Sequence, residues 1–487
     1  MLPRSESWEV MDFTKNLKEV KVLAVVQQAA RKLNYPVYLV GGYVRDLILA
    51  KPGKDIDLVC VGSGITLAKK VSSMLPGKTK VNVFKNFGTA MLSSEGYKLE
   101  FVGARKESYR PDSRKPMVED GTLEDDQKRR DFTINAMAIS LNDIDYGELS
   151  DLFEGTQDLR RKFIRTPLDP EITFSDDPLR MMRAIRFAAT LNFDIEAQTF
   201  NAIVNNASRL EIVSMERITE ELNKIILSSK PSYGFKLLFH SGLLSKFFPA
   251  LAQLQGVEKR QNKAHKDNFY HTLQVLDNIC ENTDNLWLRW AALLHDIAKP
   301  VTKRFDPQAG WTFHGHEDRG ASMVPKIFRQ LRLPLNEKMK YVQKLVRLHL
   351  RPIALVNVQV TDSAIRRLIY DSGNDLEDLM TLCRADITSK NHEKVKKYLR
   401  NFDKVEKRVM QVEVNDQVRN FQPVITGEII MKTFNIPSSK VVGELKDALK
   451  EAVLDGKIRN EYQSAITFIL ELGKKRGLIA DDSNTNQ

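Results

Sequence analysis

The stretch that decides the fold is residues 37–57, which read VYLVGGYVRDLILAKPGKDID. Residues 37–40 are apolar and β-prone and predict a buried strand, and the residues from Val44 onward predict a helix. Gly41 and Gly42 then form the turn between the two, where backbone N–H groups and the helix dipole favour a phosphate. Arg45 adds a positive charge that does not titrate at physiological pH.

Two carboxylates follow at the end of this stretch. Asp55 and Asp57 lie two residues apart in DIDLVCVG, which also predicts a strand. Side chains two apart on a strand point to the same face, so this pair can hold a divalent cation. A Gly-Gly turn or an Asp-x-Asp pair is weak alone. In this order and spacing they predict a site for a metal and a triphosphate.

Residues 41–62, GGYVRDLILAKPGKDIDLVCVG, resemble the head of the nucleotidyltransferase superfamily. The form is that of the class II tRNA nucleotidyltransferases (CCA-adding enzymes) and poly(A) polymerases of bacteria. The resemblance implies Mg²⁺ in the head and a third metal-associated acid, Glu100, in YKLEFVGAR. Two cations would then activate the 3′-hydroxyl and steady the leaving pyrophosphate.

RRDFTINA, residues 129–136, resembles the second motif of the same family. By that resemblance Arg130 contacts the nucleotide phosphates and Asp131 the ribose. The chemistry agrees, because a guanidinium is a forked donor to phosphate and a carboxylate accepts from sugar hydroxyls. For a shorter string, an exposed ion pair would be the default interpretation.

The third motif is SDDPLRMMRAIRFAA, residues 175–189. Asp177 and Arg180 are three apart, so on one helix they would present a carboxylate and a guanidinium side by side to a base edge. In the family, this pair acts as a protein template that accepts C or A. Arg183 and Arg186 continue the step of three but drift around the helix, so we expect them to contact phosphate or RNA, or to support the template.

MERITEELNKIIL, residues 215–227, resembles the last motif of the region that follows the head. Its Glu216, Arg217 and Glu221 are predicted to brace the template helix.

A second group of residues lies in the C-terminal half. His271, the adjacent His295 and Asp296, and Asp386 follow the order of the HD-type phosphohydrolases. Imidazole and carboxylate ligands suit Mn, Ni, Fe, Zn or Mg. The resemblance implies hydrolysis of phosphomonoesters or 2′,3′-cyclic phosphates. Between these residues lie three further candidates for ligands of a second metal or for phosphate contacts: His314, His316 and His349.

Composition agrees with an RNA-binding enzyme. The formal net charge of +11 favours a polyanionic partner. Three scattered cysteines predict reduced thiols in a cytoplasmic protein, with no disulfide framework and no zinc cluster. No apolar stretch is long enough to span a bilayer, and the N-terminus lacks the apolar core of a signal peptide. The sequence does not indicate an oligomeric state.

The pattern of predicted elements gives an α+β fold. A nucleotidyltransferase head with a small mixed β-sheet is expected over residues 1–165, and helical periodicity dominates after it. We expect an all-α neck over 166–250, a helical HD domain over 251–400 and a helical, RNA-binding tail over 401–487. Residues 105–128 are polar and charged, and they predict a mobile loop beside the head.

The primary functional hypothesis is the addition or repair of the 3′-terminal CCA of tRNA from CTP and ATP without a nucleic-acid template. A poly(A) polymerase, or an enzyme that adds only CC or only A, is the nearest alternative. Residues 84–92, FKNFGTAML, lack the basic Gly-Arg-Arg run associated with bacterial poly(A) polymerases, which favours tRNA. An alternative of another class is a protein that is chiefly a metal-dependent phosphohydrolase.

Overall fold

The computed structural model describes residues 12–480 except 52, 78, 111–112, 262, 357–360, 390, 417–418 and 420, with backbone only at 107–110, 113–118 and 415–416. The N-terminal segment on which the signal-peptide prediction depends lies outside these residues. The chain divides into two compact units, Met1–Pro249 and Ala250–Gln487. The finer division into four domains stays a prediction, and its boundary at 400 falls inside a helix, His392–Asp416.

The first unit carries the main sheet and most of the described strands. They are β1 (Val37–Val40), β2 (Asp55–Cys60), β3 (Asn82–Phe84), β4 (Thr89–Ser94), β5 (Tyr97–Gly103), β6 (Arg105–Arg110), β7 (Ser113–Asp120), β8 (Ala138–Ser140), β9 (Leu149–Ser150), β10 (Phe163–Ile164) and β11 (Asp194–Ile195). Seven of them form one sheet in the order β3-β4-β5-β2-β1-β8-β9. The pair β2 and β5 is parallel and its other pairs are antiparallel, so the predicted mixed sheet is confirmed.

The first helices of this unit alternate with the strands along the chain, and helices predominate in its later part. They are α1 (Thr14–Glu19), α2 (Lys21–Leu33), α3 (Gly41–Ile48), α4 (Gly64–Met74), α5 (Leu123–Lys128), α6 (Gly155–Arg161), α7 (Pro170–Asp176), α8 (Leu179–Leu191), α9 (Ala197–Asn206), α10 (Met215–Ile226), α11 (Pro231–His240) and α12 (Leu243–Phe247), with α13 (Pro249–Ala252) at the division. Short 3₁₀ turns lie at Lys85–Phe87, Thr133–Asn135 and Ala207–Ile212.

The expected loop over residues 105–128 was wrong. The segment forms a β-hairpin, β6 with β7, followed by α5. Its low apolar content hid the strands, since a hairpin outside the main sheet does not need an apolar face along its whole length. Helix α5 begins with a capping box in which Thr122 and Asp125 exchange hydrogen bonds. The Thr-x-x-Asp spacing was a signal for this helix start.

The second unit is almost entirely helical. Its helices are α14 (Asn268–Cys280), α15 (Leu286–Leu294), α16 (Lys299–Thr302), α17 (His316–Gln330), α18 (Glu337–Leu348), α19 (Leu350–Ala354), α20 (Asp362–Ser372), α21 (Leu376–Asp386), α22 (His392–Asp416), α23 (Gly427–Phe434), α24 (Lys440–Leu454) and α25 (Tyr462–Lys475), with a 3₁₀ turn at Gly373–Asp375. Two small hairpins interrupt them, β12 (Lys259–Arg260) with β13 (Lys263–Ala264) and β14 (Arg304–Asp306) with β15 (Gly310–Thr312).

The last helices have a core of their own within the second unit. Residues from α23, α24 and α25 are packed there, with Ile430, Leu445 and Ile469 fully buried at its centre. In the described part of the chain no helix combines the length and apolarity needed to cross a membrane.

Candidate active site and metal cluster

The three predicted metal-associated acids lie on neighbouring strands of the first unit. Asp55 and Asp57 are on β2, and Glu100 is the register partner of Asp57 on the parallel strand β5. Register partners point to the same face of a sheet, so Asp57 and Glu100 stand side by side. Asp55 shares this face because it lies two residues before Asp57. The sheet therefore brings all three carboxylates to one patch.

Burial raises the pKa of Asp57, and repulsion from Asp55 adds to this, while Arg130 and Arg45 act in the opposite direction. The pKa of Glu100 is raised by burial and by Asp57. The ionised form of half-buried carboxylates that repel one another is stabilised by a nearby positive charge. Oxygen ligands of this kind fit Mg²⁺, so the chemistry of these side chains agrees with the implied cation.

The Gly41 turn lies directly against these acids. Gly41 has a φ of +71°, in the left-handed region that favours glycine. A Cβ placed on it would lie 3.0 Å from Asp57 Oδ2 and 3.2 Å from Arg130 Nη1. A Cβ on Gly42 would lie 3.4 Å from Arg45 Nη2. The turn thus leaves its backbone bare at the point where an acid and an arginine converge.

Asn135 links three motifs of this unit through its side-chain amide. Its Oδ1 accepts from Arg45 Nη1 at 2.8 Å, and its Nδ2 donates to Asp131 Oδ1 at 3.1 Å. Asp131 Oδ2 in turn accepts from Arg183 Nε on α8 at 2.7 Å. The RRDFTINA motif predicted no role for Asn135. Its position shows that it connects the helix after the glycine turn to the predicted template helix.

Asp131 is committed to protein donors on both oxygens. Its Oδ1 also accepts from the Phe132 N–H at 2.9 Å, and the side chain is buried. Burial alone would raise its pKa, but Arg183 and Asn135 outweigh it and lower the pKa to about 2. A contact with ribose would have to share or replace one of these hydrogen bonds. That contact stays a prediction.

Arg45 is also engaged within the protein. It forms a paired hydrogen bond with Asp46, with distances of 2.8 Å from Nε and 2.9 Å from Nη2. Its guanidinium carbon lies 5.1 Å from the centre of the Phe187 ring, which Arg183 and Arg186 also approach, at 5.4 and 3.9 Å. The Phe187 ring therefore lies among three cations, and its contact with each of them offsets part of their mutual repulsion.

Arg186 is paired with a glutamate on another helix. Its Nε lies 2.6 Å from Glu221 Oε2 on α10, and both side chains are nearly buried. Lys224 approaches the other oxygen of Glu221 at 3.3 Å. The structure thus puts Glu221 in the bracing position expected from the sequence, and Arg186 contributes to that brace.

The expectation that Asp177 and Arg180 share one helix was wrong. Asp177 ends α7 with an extended backbone, φ −133° and ψ 94°, and α8 starts only at Leu179. The reason is Pro178, since a residue before proline is disfavoured in the helical region. Asp177 Oδ1 accepts from the Leu179 N–H at 3.3 Å, whereas Arg180 Nη2 donates to the Arg129 carbonyl at 2.8 Å. Both residues lie at the start of α8, but their joint role stays a prediction.

Two functional candidates in α5 were missed by the sequence analysis. Asp126 and Gln127 are consecutive polar residues with no exposed surface. Gln127 Nε2 donates to the Ala136 carbonyl at 2.9 Å and to the Ser150 carbonyl at 3.2 Å. Asp126 holds the side chains of Arg129 and Arg130. This short helix is therefore tied to the RRDFTINA segment by buried hydrogen bonds.

The HD residues come together in the second unit at the ends of its helices. His271 lies in the first turn of α14, His295 and Asp296 follow α15, and Asp386 ends α21. Two candidate metal groups are formed: His271, His295 and Asp386, and also Asp296, His316 and His349. His316 and His349 were expected only as additional candidates. His314 is exposed and is in neither group.

Asp296 lies between the two groups. Its Oδ2 is 3.2 Å from His295 Nε2, and its Oδ1 is 3.2 Å from His316 Nε2. His271 Nε2 lies 2.9 Å from Asp386 Oδ1. Lys299 Nζ donates to Asp296 Oδ2 at 2.6 Å. One carboxylate is thus placed to serve both groups.

The imidazoles of this cluster are oriented in the same way. In His295, His316 and His349, Nδ1 lies 2.7 Å from the backbone carbonyl three residues earlier. A carbonyl can only accept, so Nδ1 carries a proton, and Nε2 is the nitrogen whose lone pair is available in the neutral imidazole. Among the described residues, none makes a well-formed hydrogen bond to these three buried Nε2 atoms. This is the arrangement expected of metal-binding histidines.

The charge balance of the cluster also calls for a cation. Burial would lower the pKa of His295, but Asp296 and Asp386 raise it to about 10. Burial, with help from His295, lowers the pKa of His349 to about 4. Two carboxylates that favour a positive charge among buried imidazoles fit a divalent metal, and the mixed N and O ligands suit a transition metal.

Known protein families match most of these segments. Residues 37–165 match the family described as Poly A polymerase head domain, and residues 192–254 match the one described as probable RNA and SrmB-binding site of polymerase A. Residues 268–390 match the HD domain family. The matches cover both places where the structure brings candidate residues together.

Individual relatives extend over most of the chain. The A-adding tRNA nucleotidyltransferase of Deinococcus radiodurans is 32% identical over 355 residues, 71% of this chain and 79% of that protein. The CC-adding tRNA nucleotidyltransferase of Thermus thermophilus is 28% identical over 463 residues, 90% of this chain and 95% of that protein. The solved Thermotoga maritima CCA-adding enzyme complexed with tRNA-CCA has the same fold, with a TM-score of 0.61, 23% identity, and 95% and 99% of the two chains covered.

Proposed function

Because the chain belongs to the tRNA nucleotidyltransferases with a poly(A) polymerase head domain, we propose that it adds nucleotides of the 3′-terminal CCA to tRNA from CTP and ATP. The relatives named above add A only, CC only or CCA, so each of these outcomes belongs to the family. Full CCA addition is the primary proposal. Partial addition and poly(A) synthesis are the alternatives.

One observation carries the proposal. Asp57 and Glu100 are register partners on parallel strands, and a Cβ placed on Gly41 would lie 3.0 Å from Asp57 Oδ2 and 3.2 Å from Arg130 Nη1. A bare backbone turn, an arginine and paired acids are what an incoming triphosphate and its cation need. This combination favours phosphoryl transfer over a simple RNA-binding role.

The residues divide the work as follows in this proposal. Asp55, Asp57 and Glu100 would hold Mg²⁺, which would supply the positive charge needed to activate the tRNA 3′-hydroxyl and to neutralise the departing pyrophosphate. The Gly41–Gly42 backbone and Arg130 bind and orient the triphosphate. Asp131, Arg183 and Asn135 hold the nucleotide side of the site in shape. Asp177 and Arg180 offer an acceptor and donors to the base, and basic helices bind the tRNA backbone without reading its sequence.

The decisive experiment uses three tRNA primers, ending before CCA, after C and after CC. Each is incubated with the full-length protein and with CTP, ATP or UTP separately. Addition of C to the first two and A to the third supports full CCA addition, and a single productive primer class identifies partial addition. Incorporation of UTP comparable to CTP would contradict base selection by Asp177 and Arg180.

The buried histidine cluster supports a second activity, because its oriented Nε2 atoms and shared Asp296 match a metal-dependent hydrolase. We propose that the HD region binds a divalent transition metal and hydrolyses phosphomonoesters or 2′,3′-cyclic phosphates. The test is conversion of a 2′,3′-cyclic nucleotide to its 2′- or 3′-monophosphate, and release of inorganic phosphate from a phosphomonoester, with Mn²⁺, Ni²⁺ or Mg²⁺ added. No turnover with any of these metals, in protein that retains bound metal, would reduce the site to a structural one.

A further inference from the structure

The short helix α5 lies over the same sheet face as the acids. Leu123, its first residue, packs with Val40, Val59 and Ala138 in one apolar cluster. Val59 lies two residues after Asp57 on β2 and therefore points to the same side as that carboxylate. Asp126 follows Leu123 by three residues, so the two lie on one side of the helix. The packing of Leu123 thus directs Asp126 toward the acid site.

Asp126 divides its two oxygens between two arginines. Oδ1 binds Arg129, and Oδ2 lies 3.0 Å from Arg130 Nε and 2.8 Å from Arg130 Nη2. The carboxylate has no exposed surface. Burial raises its pKa, but Arg130 and Arg129 outweigh burial and the net pKa is lowered. Asp126 is therefore a charged, buried anchor for both guanidinium groups.

On the side away from Asp126, the Arg130 guanidinium approaches the acid site. Arg130 Nη1 and Asp57 Oδ2 both lie within about 3 Å of the same point, the Cβ position of Gly41. These two atoms are thus no more than about 6 Å apart. A freely rotating arginine at this distance could fold onto Asp57 and neutralise it, because opposite charges this close attract strongly in a partly buried site. Nε and Nη2 are anchored to Asp126, so Nη1 is the nitrogen on the side of the turn, where it also donates to the Asn135 carbonyl at 3.4 Å.

We propose that Asp126 is a positioning residue for nucleotidyl transfer: it holds the Arg130 guanidinium at the Gly41 turn, where it can meet a triphosphate, and keeps it from pairing with Asp57. The inference rests on the proposed function, since it takes Asp57 and Arg130 as parts of that site. A purely structural ion pair is the competing explanation, as buried pairs are costly to break whatever their role.

A double-mutant cycle separates the two explanations. Asp126→Asn, Arg130→Gln and the double variant are compared with the wild type by kcat and KM for the nucleotide, using a tRNA primer that the wild type extends. Asp126→Asn is expected to lower kcat/KM about 10- to 100-fold, mainly through KM, since it releases a phosphate-binding group. When Arg130→Gln is already present, the addition of Asp126→Asn should lower kcat/KM further by less than about twofold.

Arg129→Gln is the matched control, because it removes the other arginine from the same carboxylate. We expect its kcat/KM to stay within about threefold of wild type even if its melting temperature falls. Losses from Asp126→Asn and Arg130→Gln that multiply, or an Arg129→Gln loss equal to that of Asp126→Asn, would overturn the inference. If Asp126→Asn does not fold, Asp126→Glu takes its place in the cycle and is judged by the same criteria.

Asp57→Asn tells a failure of this inference from a failure of the proposed function. If Asp57→Asn still incorporates nucleotides at the wild-type rate, the proposed active site is wrong, whatever the cycle gives. If Asp57→Asn is inactive and the cycle is additive, only the positioning role of Asp126 is lost.

Discussion

The acid site of the first unit and the histidine cluster of the second both consist of candidate metal ligands. They differ in how exposed these ligands are and in which ligand atoms they offer. Asp55 is exposed and Asp57 and Glu100 are half-buried, on neighbouring strands beside the Gly41 turn. His295, Asp296 and His349 are buried at the ends of packed helices. The first is open to a large substrate, whereas in the second His271 and Asp386 keep only a little exposed surface.

The difference in ligand atoms follows the difference in exposure. Oxygen ligands at an open site suit Mg²⁺, which keeps several waters and exchanges with its nucleotide. Imidazoles fixed through Nδ1 present Nε2 to a metal, and such nitrogen ligands bind transition metals well. We infer that the first site acquires its cation with each substrate and that the second keeps a resident metal. The predictions below test this contrast.

The largest expected effect is the loss of one activity without the other. Asp57→Asn should lower nucleotide incorporation at least about 1,000-fold, because a metal-bound carboxylate supports several kcal/mol of transition-state stabilisation. Asp296→Asn should leave incorporation within about twofold but remove bound metal and any hydrolysis, since Asp296 touches both metal groups. Both activities are measured on each full-length variant. A variant that loses both, while folded, would break the separation of the two sites.

Removal of metal by a chelator should affect the acid site and the histidine cluster differently. After brief dialysis against EDTA, incorporation should vanish and return at once with added Mg²⁺, since the acids are accessible. Elemental analysis of the same dialysed protein should still find a transition metal, and Asp296→Asn should have lost it, because outer and inner ligands of a closed site typically change affinity by about 10- to 100-fold each. Dialysed wild type that holds no metal and binds none on addition would contradict a resident site.

Much of this contrast could be predicted from the sequence. The strand with Asp55 and Asp57, the glycine turn and the order of His271, His295, Asp296 and Asp386 depend on short-range spacing, which a sequence displays directly. The mixed sheet and helical remainder followed from the change of periodicity. Only the resemblance to a known family, however, pointed to Glu100 as a third acid.

The features that could not be predicted depend on tertiary contacts or on a single local residue. Asp126 lies in a polar segment, and nothing in its neighbours says that Leu123 will bury it against the sheet. Asn135 acquires its linking role only when Arg45 and Asp131 meet it from different elements. The break at Asp177 is different, because Pro178 is a local signal that disfavours a helical Asp177 in spite of the helical spacing to Arg180.

The smallest expected effect concerns the pH dependence of stability through Asp131. Its pKa of about 2 lies below the ordinary value of 3.8, mainly because Arg183 outweighs burial, so its ionised form stabilises the folded protein. This contribution, about 2 kcal/mol, is fully present above pH 4, falls to about half by pH 3 and is lost as the pH drops through about 2. The unfolding free energy of Asp131→Asn should therefore approach that of wild type as acid is added, as measured by chemical denaturation at pH 6, 4 and 3. Asp143→Asn, which removes an exposed ion pair with Arg31 in the same unit, should differ from wild type by less than about 1 kcal/mol throughout. An Asp131→Asn deficit that stays constant with pH would show that the link between Asp131 and Arg183 does not depend on the charge of the acid.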